Sequence, residues 1–188
     1  MLLKCRRGPK RLLHVGCGSA TARGTVPVFA DPDWQEVRLD VDPRVRPDVV
    51  ASITDMRPVP DASVDGVLSA HNLEHLFAHE VPVALREFRR VLRPGGFALI
   101  FTPDLQAVAA HVARGELEDT LYVSPAGPIA AADVLYGLRR SVAAGNHYMA
   151  HKTGFTEGTL RQKLAEAGLV EVEVGRDRFE LHAIAYRR

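Results

Sequence analysis

Residues 12–18, Leu-Leu-His-Val-Gly-Cys-Gly, pass from an apolar run into a turn with glycines at 16 and 18. Glycine at a strand end lets the backbone lie flat against a ligand, which is how a parallel α/β sheet opens a nucleotide pocket. Cys17 between them is small enough to fit the turn. An acid pair follows at Asp40 and Asp42, with Val41 between. A carboxylate there can accept two neighbouring hydroxyls in a charge-assisted fork, or simply solvate the Asp-Val-Asp-Pro turn. A polar turn comes next at Ser52-Ile53-Thr54-Asp55. His71, His75 and His79 then repeat every four residues, and His71-Asn72-Leu73-Glu74-His75 spells H-x-x-E-H. A second polar concentration runs from Gly145 to Phe155 and holds His147, Tyr148 and His151. Imidazoles in such places can move protons, or serve only as loop residues.

These groups need elements to hold them. Arg11–Val15, Glu36–Val41, Asp48–Ser52, Val64–Ser69 and Gly96–Phe101 are short apolar runs between turn residues, the pattern of strands buried on both faces. The first crossover, residues 19–35, has no long amphipathic pattern and is expected to be short or irregular. Val81, Ala84, Leu85, Phe88, Val91 and Leu92 fall on one helical stripe. A second helix is expected after Thr102-Pro103-Asp104, with Thr102 as cap and Pro103 in the first turn. A third runs from Thr156 to Gly168, with Glu157 and Arg161 one turn apart. The C-terminus switches to period two: Leu169–Val174, a turn at Gly175–Arg178, then Phe179–Tyr186, an antiparallel hairpin. Residues 116–150 fit none of this. Ser124–Pro128 reads as a loop and Ile129–Arg139 as a helix. Placed after the fifth strand, the segment either folds as a lid over the ligand-binding edge of the sheet or is a plain insertion.

The H-x-x-E-H pattern follows a buried strand, and Pro82 comes soon after. The long helix of a zinc protease is therefore not expected, and no metal is assigned.

The 188 residues suit one domain, with 46% apolar and 25% charged residues and a net charge of +1. That balance excludes a general polyanion binder. Lys4, Arg6, Arg7, Lys10 and Arg11 crowd the N-terminus, either as a contact for phosphate or as a solvated arm. Five basic residues are too few to argue for nucleic acid. Cys5 and Cys17 make no disulfide framework, which points to a reduced, cytoplasmic protein. No apolar run approaches the ~18 residues of a membrane span.

Together, the glycine turn, the acid after the second strand, Ser63-Val64-Asp65, Leu73-Glu74-His75-Leu76, Leu92-Arg93-Pro94-Gly95-Gly96 and the terminal hairpin resemble a class I S-adenosylmethionine-dependent methyltransferase. The likeness is greatest to the small single-domain enzymes of the methyltransferase type 11 group. It covers residues 11–105 and resumes from Phe155 to Leu169. The resemblance implies a Rossmann-like three-layer sandwich with a seven-stranded, mostly parallel sheet of order 3-2-1-4-5-7-6 and an antiparallel last strand. It implies one domain over residues 1–188, with a lid or acceptor-site insertion at 116–150.

The resemblance also implies roles. Gly16, Cys17 and Gly18 would lie against the amino-acid and ribose parts of the cofactor. Asp40, with Val41 beside it, would grip the ribose. Ser52, Ile53 and Asp55 would meet the adenine. His71 and Asn72 would stand at the lip of strand four beside the methyl donor. His147, Tyr148 and His151 would shape the acceptor pocket, with His151 as candidate base and His71 as a second catalytic residue. Two positions depart from the family. His14 stands where an acid helps hold the cofactor's ammonium group; neutral imidazole can accept one hydrogen bond, whereas imidazolium would repel the ammonium. Ala20 replaces the third glycine. The product would be S-adenosylhomocysteine, and the acceptor a small molecule or else a peptide or protein. A SAM-binding relative that stabilises a partner without catalysis stays open. So does a nicotinamide enzyme, against which Thr21 stands where G-x-G-x-x-G needs its third glycine.

Overall fold

The computed structural model of the chain describes residues 8–188. Lys4, Arg6 and Arg7 of the basic N-terminal group lie outside the described residues, as does Cys5. Of that group, Lys10 packs its ammonium over the Trp34 ring, 5.3 Å from the centroid.

A seven-stranded sheet forms the centre. Its strands are β1 (Lys10–Val15), β2 (Trp34–Asp40), β3 (Val49–Val50), β4 (Val64–Ala70), β5 (Leu92–Pro103), β8 (Val170–Asp177) and β9 (Glu180–Tyr186). They lie in the order β3-β2-β1-β4-β5-β9-β8. The β1–β5 pairings are parallel, and β9 runs antiparallel to both β5 and β8. This is the expected order once β6 (Thr120–Ser124) and β7 (Gly127–Ala130), a separate hairpin in the insertion, are set aside. The central strands are apolar on both faces because both faces are covered. Leu13, Val15, Val67 and Ile100 meet α2 (Val81–Val91) and α6 (Glu157–Glu166), while Leu12 and Leu68 meet Ala22, Phe29 and Trp34. The first crossover is irregular as expected: α1 (Ala22–Thr25) and a 3₁₀ turn at Pro27–Ala30.

Helix α2 buries Val81, Ala84, Leu85, Phe88 and Val91 on one stripe, with Pro82 in its first turn. Helix α6 starts at the Thr156 cap, and its Glu157–Arg161 pair closes at 3.3 Å.

Four expectations need correction. First, β5 continues through Thr102 and Pro103, which pair with Leu181 and Glu180, so neither opens the next helix. Asp104 is the cap of α3 (Leu105–Val112), accepting from the Gln106 and Ala107 N–H groups at 3.0 and 3.3 Å. Aspartate caps better than a threonine already held in a ladder. Second, β8 runs through Gly175 to Asp177, and the reversal falls at Arg178-Phe179, where Arg178 takes φ +51°. Third, the segment Ser124–Pro128 is the tip of the β6–β7 hairpin, turned by Gly127 at φ +102°. Fourth, the expected Ile129–Arg139 helix is α4 (Ala131–Tyr136), broken at Gly137, with α5 (Arg139–Ala143) after it. Gly137 has φ +91°, and a methyl there would run into the Met149 carbonyl.

Asp104 is fully buried and also receives Arg176 Nε at 2.7 Å, so it joins α3 to β8. Asp104→Ala should lose the cap and this charge-assisted bond and lower stability by about 2–4 kcal/mol in urea unfolding. Asp104→Asn, which can still cap, should cost less than half of that.

Candidate active site

The glycine turn follows β1 directly. Gly16 and Gly18 have φ of +59° and +51°, so side chains there would be strained. The Gly18 N–H donates to Asp40 Oδ2 at 2.8 Å, and the Asp42 N–H to Oδ1 at 2.9 Å. Asp40, 9% exposed, thus ties the turn after β1 to the turn after β2. Each of its oxygens keeps a lone pair beyond that N–H bond. Above Gly18 an added methyl would meet nothing within 4 Å, so the turn opens on space. Val41, just past the end of β2, and Val50, paired with Asp40 across β2 and β3, are 45% and 55% exposed. Asp42 turns away and is held by Arg44, whose guanidinium keeps its carboxyl below the usual range.

Asn72 lies over the glycine turn. A methyl on Gly16 would collide with its side-chain amide, and its Nδ2 is buried without a partner. His71 precedes it at φ +50°, an unusual conformation for histidine, and its side chain is about half exposed. His71 Nε2 stands 2.8 Å from Glu180, and Nδ1 stands 3.4 Å from Glu74. Burial opposes the imidazolium, but Glu180 and Glu74 outweigh it and push His71 up to about 10. Glu74 itself is 1% exposed. Burial would raise its carboxyl, yet the His71 contact holds it low.

His71, Glu74, His75 and His151 meet at one wall of a cavity of about 480 Å³. The insertion supplies Tyr122, Ile129 and Val134, and the β8–β9 reversal supplies Asp177, Arg178, Phe179 and Glu180. A second cavity, of about 220 Å³, lies behind Glu74 and His151 and is closed by Thr153 and Gly154. His151 Nδ1 is 2.7 Å from the Val134 carbonyl, and His75 Nδ1 is 3.2 Å from the Ala150 carbonyl. A carbonyl only accepts, so each Nδ1 carries a proton, and in the neutral ring Nε2 is then the acceptor. Burial also pushes the His151 imidazole down, against the pull of Glu74.

The structure therefore gathers the expected residues into two places. Gly16, Gly18, Asp40 and Asn72 meet at the crevice, and His71 and His151 meet at the cavity. Others fall elsewhere. His14 is 2% exposed, with Nδ1 2.8 Å from Glu36, which also accepts the Ala22 N–H at 2.9 Å. It has a partner inside the protein in place of the expected ammonium. Cys17 is buried, and burial raises its thiol. Ile53 is packed in the main core rather than free to meet a ring. Ser52 bonds Thr54 across the turn, and Asp55 is taken up by Arg57 at 2.7 Å. His147 and Tyr148 are exposed and outside the cavity wall, whereas Met149 is in it. Asn72 is likewise outside that wall. Sequence reasoning missed the hairpin-tip residues 177–180, because their place depends on where β8 ends. It also missed Tyr122, which stacks on Phe179 at 6.1 Å and belongs to a hairpin read as loop.

The methyltransferase-domain family model matches residues 13–100. That match takes in 88 of the 188 residues, and the sheet order is that of the Rossmann-like methyltransferase fold. Solved structures of this fold include a SAM-dependent methyltransferase from Archaeoglobus fulgidus, 15% identical, with TM-score 0.62 over 96% of this chain and 87% of that one. A SAM-dependent methyltransferase from Methanosarcina mazei, also 15% identical, gives 0.64 over 96% and 93%. The 1,6-didemethyltoxoflavin N1-methyltransferase of Burkholderia thailandensis, with S-adenosylhomocysteine bound, gives 0.58 at 16% identity over 95% and 71%. No curated protein matches the sequence. The cofactor that goes with this methyltransferase domain and fold is S-adenosylmethionine. No helix among the described residues is long and apolar enough to cross a membrane.

The His71 charge makes a directional test. A raised imidazole stabilises the fold fully below its unfolded value near 6.5, and that contribution is lost as pH rises through about 10. His71→Asn keeps a residue that tolerates positive φ. Wild type should exceed it in stability most at pH 6 and least at pH 10, measured by urea unfolding across that range. An NMR titration of His71 centred near pH 6.5 would contradict the ion-pair account.

Proposed function

We propose that the protein transfers a methyl group from S-adenosylmethionine to an acceptor bound in the 480 Å³ cavity. The observation that carries this reading is the Asp40 carboxylate: buried, with spare lone pairs, and bonded to the N–H of Gly18, above which the turn opens on space. A ribose diol satisfies the carboxylate, and an adenine ring covers apolar surface such as Val41 and Val50. These valines take the place foreseen for Ile53. When bound, the cofactor supplies an electrophilic methyl on a sulfonium.

The chain's own residues would position the acceptor. Asn72 stands between crevice and cavity, so its unpaired Nδ2 is a donor at the junction of the two. His71, held as a cation between Glu74 and Glu180, has no lone pair for a proton; it serves as a donor and not as a base. His151 presents a lone pair to the cavity. The wall carries Glu74, Asp133, Asp177 and Glu180 against Arg178 and the His71 cation, a surround still acidic on balance that disfavours a polyanion. A neutral or cationic small molecule fits both the volume and the charge, and a peptide side chain fits the charge.

Methyl transfer needs the acceptor atom held about 3 Å from the methyl carbon with water excluded. The insertion's Tyr122 and Ile129 and the hairpin tip's Phe179 supply apolar cover for that.

Titration calorimetry with S-adenosylmethionine and S-adenosylhomocysteine should show one site per chain. Asp40→Asn leaves one acceptor oxygen where two are needed, and should weaken both ligands about 10- to 100-fold. No heat from well-folded protein with either ligand would refute the reading.

A further inference from the structure

Glu74, His75 and His151 each offer a ligand atom, and these atoms lie within 4.8 Å of one another. They come from two segments that meet only in the fold: the 3₁₀ turn Leu73–His75 after β4, and the strand-like return of the insertion at His151. The two imidazoles meet edge to face, 4.8 Å between centroids.

The protonation pattern gives this cluster its meaning. Both Nδ1 atoms are committed as donors to backbone carbonyls, of Ala150 and Val134. That leaves Nε2 of each ring as an acceptor. Backbone carbonyls holding the distal ring N–H are the usual supports of metal-binding histidine, fixing tautomer and orientation. Glu74 is supported in the same way. Its Oε2 accepts from Thr102 Oγ1 at 3.1 Å, while Oε1 is buried without a hydrogen bond. His71 approaches Oε1 only at 3.4 Å, as a charge contact. Two imidazoles and a buried carboxylate thus bring ligand atoms within 4.8 Å of one another, with His71 facing Oε1 from outside the cluster at 3.4 Å. Buried acceptors left facing one another are costly. A cation removes that cost.

We propose that Glu74, His75 and His151 bind one divalent transition-metal ion at the wall of the acceptor cavity. Two imidazoles and one carboxylate suit Zn²⁺, Fe²⁺, Mn²⁺ or Co²⁺ over Mg²⁺ or Ca²⁺, which prefer all-oxygen sets. Three protein ligands leave open positions, as in catalytic rather than structural sites. All three residues line the 480 Å³ cavity, so those positions face the acceptor. The ligand class is therefore an acceptor with an oxygen donor, such as a hydroxyl or phenol. An oxygen held beside such an ion loses its proton to solvent more readily. The oxygen–carbon bond then forms as the sulfur–carbon bond breaks, with that electron pair staying on sulfur.

The sequence reading set the H-x-x-E-H pattern aside because it follows a buried strand and Pro82 comes too soon for a long helix. The helix is indeed absent, and the pattern's first histidine points to Glu180. Its Glu74 and His75 are instead completed by His151, 76 residues beyond His75 in the chain.

The probe is the metal alone, so the test is independent of methyl transfer. Protein stripped with chelator should bind one equivalent of Zn²⁺ by calorimetry, and Co²⁺ should give a visible d–d spectrum. His75→Asn and His151→Asn should each weaken binding at least about 100-fold, more than loss of an outer support would. His79→Ala, an exposed histidine outside the cluster, should bind as wild type. X-ray absorption on Co²⁺-loaded wild type needs no variant, and should show two imidazole nitrogens and oxygen near ~2.0–2.2 Å. No stoichiometric binding, binding unchanged in both asparagine variants, or a Co²⁺ shell without imidazole would each overturn the site.

Discussion

One buried carboxylate residue holds the two halves of this site together. The Glu74 backbone carbonyl accepts the N–H groups of Lys152 and Thr153, at 2.8 and 3.2 Å, and so pins the end of the insertion to the lip of β4. Its side chain accepts from Thr102 on β5 and balances His71 in front of the sheet. A charged group this deep is costly unless its oxygens are engaged. Thr102 on the neighbouring strand and the His71 charge at the lip offset that cost for the carboxylate, while the backbone carbonyl holds the insertion. The cavity is the space left between them. Its position is set by an electrostatic requirement, and its lining by whichever residues the insertion brings.

The crevice on the other side follows a different logic. There the polar groups are wired to one another before any ligand arrives. Asp40 is shared between Gly18 and Asp42, and Arg38 reaches from β2 to the Gly18 carbonyl. His14 and Glu36 brace the N–H of Ala22, which begins α1. His14 near the end of β1 is thus paired inside the protein with a carboxylate from the next strand. The glycine turn is held in its positive-φ form by these bonds. Preorganisation of this kind lowers the ordering cost of binding.

The parts of the fold legible in the sequence were those with a single dominant signal. Strands buried on both faces announce themselves as apolar runs, and the α2 stripe repeats at helical spacing, so order, direction and most boundaries could be read. Errors fell where two local preferences compete. Thr102 and Asp104 can both cap, and only the β5–β9 ladder decides between them. Gly175 reads as a turn, yet stands in a strand because the reversal three residues later has Arg178 in the left-handed region. At the site, Asp40 was legible because an acid at the end of a second strand has few other uses. Ile53 was misplaced because an apolar residue in a polar turn gives no sign of which way it faces. His71 and His151 were legible as polar outliers, whereas their states were not. Those depend on Glu180 and on the Val134 carbonyl, which reach them only through the folded insertion and hairpin.

The apolar groups explain how the two sides can differ in constraint. Leu13, Leu39, Ile53, Phe88 and Phe155 belong to one buried cluster that supports the strands beneath the crevice. Val108, Ile129, Ala131 and Val134 form another, small and confined to α3 and the insertion, with Phe179 at its margin. A change in the second cluster reshapes the acceptor wall without disturbing the packing under Asp40. The link between the clusters is narrow: the Leu105 N–H to the Phe155 carbonyl at 2.9 Å, and the Glu74 carbonyl at the insertion's end. Residues far apart with no shared partner contribute nearly independently to stability. The cofactor side can therefore stay fixed by the main core while the acceptor side varies on its own small one.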